Sequence, residues 1–398
     1  MGLDPTVDLL GLPEIRKPFT PTLGLSIATF ESSHPEGTGG LLLRLSSEKN
    51  DTRVGLLTCA HVLRPPSLST KNEDYTREDD SQPRKDVVLL GDEAFQNAVH
   101  SITKFIKRHM LAISSWESSL MAHPAQKEME DKRIASKRSH LTDLIRDAKA
   151  EIEEAKKLHT YVTQNLADPE SRVLGHVVHI AKIEIGATDK YMYDWGFVQL
   201  DSETMDIPHF QGNKLFVGMS LLSGRFLLRF DHSSYTGGDR TLGDWIMHMR
   251  SKPPQDMLLP IKGFVTEDEL RSPQDVDIYK KKALLAVKNG SATGTTFGRV
   301  NGLESITRKH PHHDSISQRA LEIIVCGCDT SRSDNALFSI PGDSGSCVVD
   351  REGRLIGLLT SGVGPIERTD RTYITPYFAL KKALEQKFPG CHLFDDDV

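Results

Sequence analysis

The chain has 398 residues, with 49 Lys and Arg against 55 Asp and Glu, and a net charge of -6. That length holds two or three domains with ample core, and 38% hydrophobic with 26% charged residues is the balance of a globular protein. The acidic balance, without a basic stripe carrying interleaved aromatics, argues against a nucleic-acid partner, and no window of ~20 residues is apolar enough to span a bilayer.

The five cysteines, Cys59, Cys326, Cys328, Cys347 and Cys391, are few and odd in number. Free thiols in a reducing compartment are therefore expected rather than a disulfide framework. Residues 1–20 carry Asp4, Asp8 and Glu14 and no long apolar core, so no secretory signal is expected and the reading is cytoplasmic. Met1-Gly2-Leu3-Asp4-Pro5-Thr6 fits the loose myristoylation pattern, but no polybasic patch follows to supply a second anchor.

In chain order, 1–22 is an N-terminal segment. Strands are predicted over 23–30, 41–45 and 53–63, with Gly37-Thr38-Gly39-Gly40 read as a turn. The third strand steps through the small residues Thr58, Cys59 and Ala60 onto His61. A lone histidine after a strand is more often structural; small residues just before it let the backbone turn and present the ring to a cleft. Residues 71–85 form a polar loop and 87–90 a short strand. The period then changes. Phe95, Val99, Ile102, Ile106, Met110, Ile113 and Leu120 fall at helical spacing, Pro124 breaks the run, and Ile134, Leu141, Ile145, Ala148, Ile152, Ala155, Val162 and Leu166 resume it. Together 92–168 read as a helical hairpin with a coiled-coil-like seam. The stripe has no chemistry beyond that seam, but the arm is a candidate surface for a protein partner or for self-association.

Strands return at 173–185 and from Trp195, directly after Asp194. A carboxylate ahead of an apolar strand can be buried and aimed inward, where it would orient a histidine. Asp244 is the rival, but Gly243-Asp244-Trp245-Ile246 reads as a capped helix start. Strand-like runs follow at 214–224 and 225–230. Residues 231–280 are irregular, with a short helix expected over 266–270, and 284–300 reads as strand, tight turn, strand. His310, His312 and His313 read as a solvated loop rather than a metal site, because Pro311 intervenes and no paired Cys or Glu accompanies them. Further strands are predicted over 321–325, 336–340, 347–349 and 355–359. Between the second and third of these lies Pro341-Gly342-Asp343-Ser344-Gly345-Ser346. A serine in a tight glycine-flanked turn offers an exposed hydroxyl beside backbone N–H groups, which is what acyl transfer requires. Thr375 and Pro376 read as the cap and first residue of a helix running to about 387, before an acidic tail.

Thr58-Cys59-Ala60-His61, Asp194-Trp195-Gly196-Phe197-Val198 and Gly342-Asp343-Ser344-Gly345 come in the order His, Asp, Ser. That order resembles the chymotrypsin-like serine proteases, in a disulfide-poor intracellular form with a helical insertion. The run Lys288-x-Gly290-x-x-Thr293-Gly294-x-Thr296-x-Gly298-x-Val300 resembles the first hairpin of that family's second barrel. An α/β-hydrolase is excluded, because it places its serine before the acid and the histidine.

The resemblance implies a mainly β fold: two six-stranded antiparallel β-barrels with an inserted helical hairpin and a C-terminal helix. The first barrel would take 23–91 and 169–230, the hairpin 92–168, the connection 231–280, the second barrel 281–374, and the helix and tail 375–398. It implies His61, Asp194 and Ser344 as catalytic residues and the N–H groups of Gly342 and Ser344 as the oxyanion hole. Phe338 would be the pocket floor, with Ser361 and Gly362 on the flanking strand, selecting an apolar or small side chain. The substrate would be a protein or peptide, with no metal or cofactor. The alternative is a catalytically silent scaffold of the same fold that binds partners through the hairpin. Two departures stand out. Cys59 has no disulfide partner beside the histidine, and the gap from His61 to Asp194 is far longer than the family norm. No activation site is visible near the N-terminus, so Asp343 is not expected to await a new amino terminus.

Overall fold

The structure is a computed structural model that describes residues 12–69, 71–122, 132–202, 212–217, 258–274, 282–309, 318–327, 337–364 and 371–394. Asp244, His310, His312, His313, Cys328, the run 225–230, the myristoylation pattern and the acidic tail lie outside these residues.

The strands are, in order, β1 (Leu25–Thr29), β2 (Ser32–Gly39), β3 (Leu41–Arg44), β4 (Val54–Thr58), β5 (Tyr75–Thr76), β6 (Asp86–Leu89), β7 (Val173–Ile180), β8 (Glu184–Ile185), β9 (Met192–Tyr193), β10 (Gly196–Leu200), β11 (Lys214–Phe216), β12 (Leu258–Pro260), β13 (Leu284–Gly290), β14 (Gly294–Lys309), β15 (Gln318–Gly327), β16 (Cys347–Val349), β17 (Leu355–Val363), β18 (Arg371–Pro376) and β19 (His392–Leu393). The helices are α1 (Pro13–Arg16), α2 (Ala60–Leu63), α3 (Asp92–Ala122), α4 (Lys132–Asn165), α5 (Glu267–Arg271) and α6 (Tyr377–Lys387).

The fold is mostly β. Strands β13 to β18 form a closed six-stranded antiparallel barrel, in the order β13-β14-β15-β18-β17-β16 with β16 returning to β13. The N-terminal strands form a nine-stranded antiparallel sheet, in the order β19-β3-β4-β10-β7-β6-β1-β2, with β5 beside β7. Of the two closed barrels expected, one closes by strand pairing. The other half is this sheet, in which β2 and β3 are separated by Gly40 alone.

Period-two alternation explains why the barrel strands read as nearly continuous apolar runs. Leu284 and Ala286 of β13, with Val348 of β16, face the barrel core, whereas Leu285, Val287, Cys347 and Val349 join the core shared with the N-terminal sheet. Both faces are buried, so neither needs polar residues.

The helical stripe appears as α3 and α4. Its outer part packs Ile113, Ile145, Ala148 and Ile152 as a separate cluster, while Ile102, Ala155 and Val162 at its base belong to the main core. The short helix expected near 266–270 is α5, closed by a capping box between Thr266 and Glu269. No described helix is long and apolar enough to cross a membrane.

Four expectations change. The strand read over 53–63 ends at Thr58, and His61 sits on the single turn α2. Residues 337–346 carry no strand, so the serine turn is approached by irregular chain. Pro376 ends β18 and caps α6 rather than lying inside it, with ψ 139°. Gly37-Thr38-Gly39-Gly40 is not a turn but the end of β2 and its passage into β3.

Candidate active site

The register of the N-terminal sheet sets His61 beside Asp194. Gly196 of β10 pairs with Thr58 of β4 in antiparallel register. The two residues ahead of Gly196 therefore run alongside the two that follow Thr58, which brings Asp194 to the start of α2. Trp195 anchors this step, buried against His179 and Phe197 with ring centroids 5.0 and 5.8 Å away.

Asp194 is 4% exposed and grips His61 twice. Its Oδ2 lies 2.6 Å from the ring Nδ1, and its Oδ1 accepts the His61 backbone N–H at 3.1 Å. A buried carboxylate on Nδ1 favours the tautomer in which Nδ1 carries the proton and Nε2 is the basic nitrogen, and it stabilises an imidazolium. The His61 side chain itself is 37% exposed, so it is open to a reactant.

Ser344 arrives from the other half of the molecule. The turn before it is built by Pro341 and Gly342, with Gly342 at φ 102° and the Asp343 N–H bonded to the Ile340 carbonyl at 3.1 Å. Proline at the second position and a positive-φ glycine at the third are the residues a type II turn demands. Among the described residues, neither the Gly342 nor the Ser344 N–H donates a hydrogen bond. The Ser344 hydroxyl is half-buried and makes one long contact, 3.5 Å, to the Thr360 carbonyl.

Two residues join the halves. Thr38, fully buried, accepts the Thr58 hydroxyl on its carbonyl at 2.7 Å, and its own N–H donates to the Ser344 carbonyl at 2.8 Å. Its hydroxyl donates to the Gly342 carbonyl at 2.9 Å and accepts the Ser291 N–H at 3.0 Å. On β17, the Leu359 carbonyl accepts both the Gly345 N–H at 2.8 Å and the Cys59 thiol at 3.2 Å. Thus the segment carrying His61 and the turn carrying Ser344 share the same partners. The glycines make this approach possible: a Cβ on Gly345 would stand 2.0 Å from the Thr38 carbonyl oxygen, and one on Gly40 would stand 2.0 Å from that of Gly345. The role of Thr38 was missed because a glycine-rich run signals a turn as readily as a close backbone contact.

Cys59, His61 and Asp194 also bring a thiol, an imidazole and a carboxylate within 4.8 Å of one another. The 2.6 Å between Nδ1 and Oδ2 is a hydrogen bond. Two ligands on one zinc, each about 2.0–2.2 Å away, would stand more than about 3 Å apart. The arrangement therefore suits a proton between these atoms better than a metal.

The expected pocket residues fall in different places. The Phe338 ring packs into the barrel core, where Val325 and Gly298 surround it, and its carbonyl accepts the Thr296 hydroxyl at 2.6 Å. Ser361 and Gly362 lie on β17 beside Tyr373 and Thr372, and the Ser361 hydroxyl has no hydrogen-bond partner among the described residues. A cleft of about 800 Å³ reaches the serine turn at Ile340, Pro341 and Gly342, with Lys17, Glu93 and Thr293 on its other walls. His61, Asp194 and Ser344 do not line it.

No protein-family model matches the chain, and no curated protein matches it.

Proposed function

We propose that the protein is a serine endopeptidase of chymotrypsin-like architecture. The observation that carries this reading is the buried Asp194 bonded to both the ring and the backbone of His61, tied through Thr38 and Leu359 to a positive-φ turn that presents Ser344. The order His61, Asp194, Ser344 along the chain supports the same family. So does the N-terminal sheet. With β2 and β3 separated only by Gly40, the ladder can pass from β1 to β4 along one bent strand, as a rolled first barrel would require.

In this mechanism the Ser344 oxygen attacks the scissile carbonyl carbon while the His61 Nε2 takes the hydroxyl proton. The tetrahedral oxyanion is held by the Gly342 and Ser344 N–H groups, where one donor is worth about 3 kcal/mol. His61 then protonates the leaving amine, giving an acyl-enzyme that water hydrolyses by the reverse roles. Asp194 holds the tautomer and stabilises the imidazolium throughout. Ser361 and Gly362 on β17 carry no charge, which supports an apolar or small side chain at the cleaved residue. Cys59, Cys326, Cys347 and Cys391 form no disulfide among the described residues, which supports an intracellular, reducing setting. In this reading the helical arm, 92–168, is the surface offered to a protein partner or to self-association.

The test is labelling by a fluorophosphonate probe on the wild type and on Ser344→Ala, with the modified peptide mapped. Label at Ser344 that vanishes in the variant is the expected result. A folded wild type without label would refute the endopeptidase reading and favour the silent scaffold.

A further inference from the structure

Asp343 sits between Gly342 and Ser344, whose N–H groups donate no hydrogen bond among the described residues, yet its own side chain is wholly inside the protein, at 0% exposure. Its carboxylate fastens three pieces of chain. Oδ1 accepts the N–H groups of Ala292 at 3.0 Å and Thr293 at 3.1 Å. Oδ2 accepts the Thr293 hydroxyl at 2.7 Å and the Ile340 N–H at 3.1 Å, and lies 3.1 Å from the Lys288 ammonium. Lys288 projects from β13, also at 0% exposure, and donates further to the Thr293 hydroxyl and to the Gly294 carbonyl at 3.2 Å. Space for the pair is reserved by Gly290, where a Cβ would stand 2.3 Å from the Asp343 Oδ1.

Burying two charges is an expensive way to fill a core, and apolar residues of similar size would often be as stable or more so. Burial alone pulls the Lys288 pKa down, and the Asp343 charge acts against that pull. A second amine stands near. Lys17 donates to the Gly24 carbonyl at 2.5 Å, and burial and the Lys288 charge lower its pKa to about 7. The carboxylate is thus committed to Lys288. What the pair gives in return is geometry: it ties the tip of the β13–β14 hairpin to both ends of the turn that carries Gly342.

We infer that Lys288 is a positioning residue, whose buried ion pair with Asp343 holds the 341–344 turn in the shape that leaves the Gly342 and Ser344 N–H groups available. The site is then formed as soon as the chain folds, with no cleavage and no partner needed to complete the turn. This rests on the reading of Ser344 as the nucleophile.

The experiment compares wild type, Lys288→Met and Thr293→Val, the last removing the hydroxyl that lies between the ammonium and the carboxylate. Three quantities are read: the fluorophosphonate labelling rate at Ser344, the kcat and KM for a peptide ester, and amide hydrogen exchange. Lys288→Met should slow labelling and lower kcat by about 100-fold, the scale of one lost oxyanion donor, with KM changed less than about threefold. Exchange should quicken at Ala292, Thr293 and Ile340 but not along β4, which carries the His61 side of the site. Thr293→Val should give the same pattern at about a tenth of that size in fold-change, and it stands in for Lys288→Met should that variant not fold. Labelling within threefold of wild type in a folded Lys288→Met would overturn the inference, as would unchanged labelling in Thr293→Val when that variant stands in. A parallel loss in KM and in β4 protection would make Lys288 a merely structural residue and overturn it too. Absence of label in the wild type would defeat the nucleophile reading instead. Exchange then decides alone: faster exchange confined to the three amides upholds the role of Lys288 in the turn, and unchanged exchange overturns it.

Discussion

Asp194→Asn is the substitution that most directly probes the proposed chemistry. The side chains are nearly the same shape, and the site is buried, so the fold has no steric reason to change. Asp194 accepts two hydrogen bonds from His61, one at each oxygen. An amide can match only one of them. If its oxygen keeps the His61 backbone N–H, its NH₂ faces Nδ1, which must then be unprotonated. The ring proton moves to Nε2, the very nitrogen that has to receive the Ser344 proton. If the amide is reversed, its oxygen serves Nδ1, but its NH₂ meets the His61 backbone N–H. Two donors facing each other in a buried site cost about 1–3 kcal/mol. In both orientations the charge that stabilises the imidazolium is gone. The combined loss expected for such a triad is about 10⁴-fold in kcat, or ~5 kcal/mol at 1.36 kcal/mol per decade. The assay is the pseudo-first-order labelling rate at Ser344, with turnover of a peptide ester alongside, on protein whose melting temperature is unchanged. A folded Asp194→Asn that reacts within tenfold of wild type would show that this carboxylate does not orient the base, and the proposed triad would fail with it.

Other consequences follow from single contacts. Gly345→Ala places a methyl 2.0 Å from the Thr38 carbonyl oxygen at a φ of 93°, and should cost about 3 kcal/mol or more in urea unfolding; an unchanged midpoint would contradict the close approach. Thr38→Val removes the hydroxyl that serves Gly342 and Ser291, and should cost about 1–3 kcal/mol and slow labelling; equal rates would mean that Thr38 does not steady the turn. Burial lowers the His179 pKa to about 4. The unfolded chain takes that proton near pH 6.5, so the contribution is complete above 6.5 and is lost as pH falls to 4, by about 3 kcal/mol in all. Unfolding at pH 7 and pH 4.5 should therefore show a smaller pH effect in His179→Gln than in wild type, and equal effects would sink the assignment. Ile152→Ala opens the outer cluster of the helical arm, and should cost about 2–4 kcal/mol, read as faster exchange in α3 and α4; labelling at Ser344 should not change.

Much of this architecture was legible because period and burial agree. The apolar spacing from Phe95 to Leu120 could only be a helix face, and α3 spans it. The serine turn was legible because Pro341, Gly342 and Gly345 each have few alternatives: one fixes φ and two sit at positive φ. The rest was hidden where one residue type serves two physical ends. Glycines at 37, 39 and 40 signalled a turn, but they are small because other backbone or side chains press against them. Lys288 falls on the face of β13 that Leu284 and Ala286 turn to the barrel core, and nothing local in the sequence reveals that Asp343, on a distant turn, waits to receive it. The apolar run ahead of the serine suggested a strand over 336–340; Phe338 is buried for packing in the barrel core, without any ladder to join.

The long gap between His61 and Asp194, 133 residues in sequence, poses a physical question of its own. An insertion that size between two members of one constellation should loosen it, unless the insertion begins and ends at the same place. It does. β6 and β7 are neighbours in the ladder, with Val87 opposite Gly175, and α3 and α4 leave and return between them. Arg172, 3% exposed, seals the junction: its guanidinium donates to the carbonyls of Leu89 and Leu90 at the exit and to those of Leu166 and Ala167 at the return, and it lies 3.5 Å from the Asp92 carboxylate. The ring of Phe95 stacks beneath it, 4.3 Å away. To the sheet, the whole arm is therefore one tight connection, and the register that sets Asp194 beside His61 does not feel its length. The base of the arm is another matter, because Ile102, Ala155 and Val162 belong to the main core. Removing all of 92–168 would strip that core and unfold the site for reasons unrelated to any role of the arm. Shortening the hairpin beyond Ile106, which leaves those three residues and Arg172 in place, is the cut that separates a partner-binding arm from a structural one. Ser344 labelling should survive it, and a loss of labelling in a folded, shortened protein would show that the distal arm controls the site.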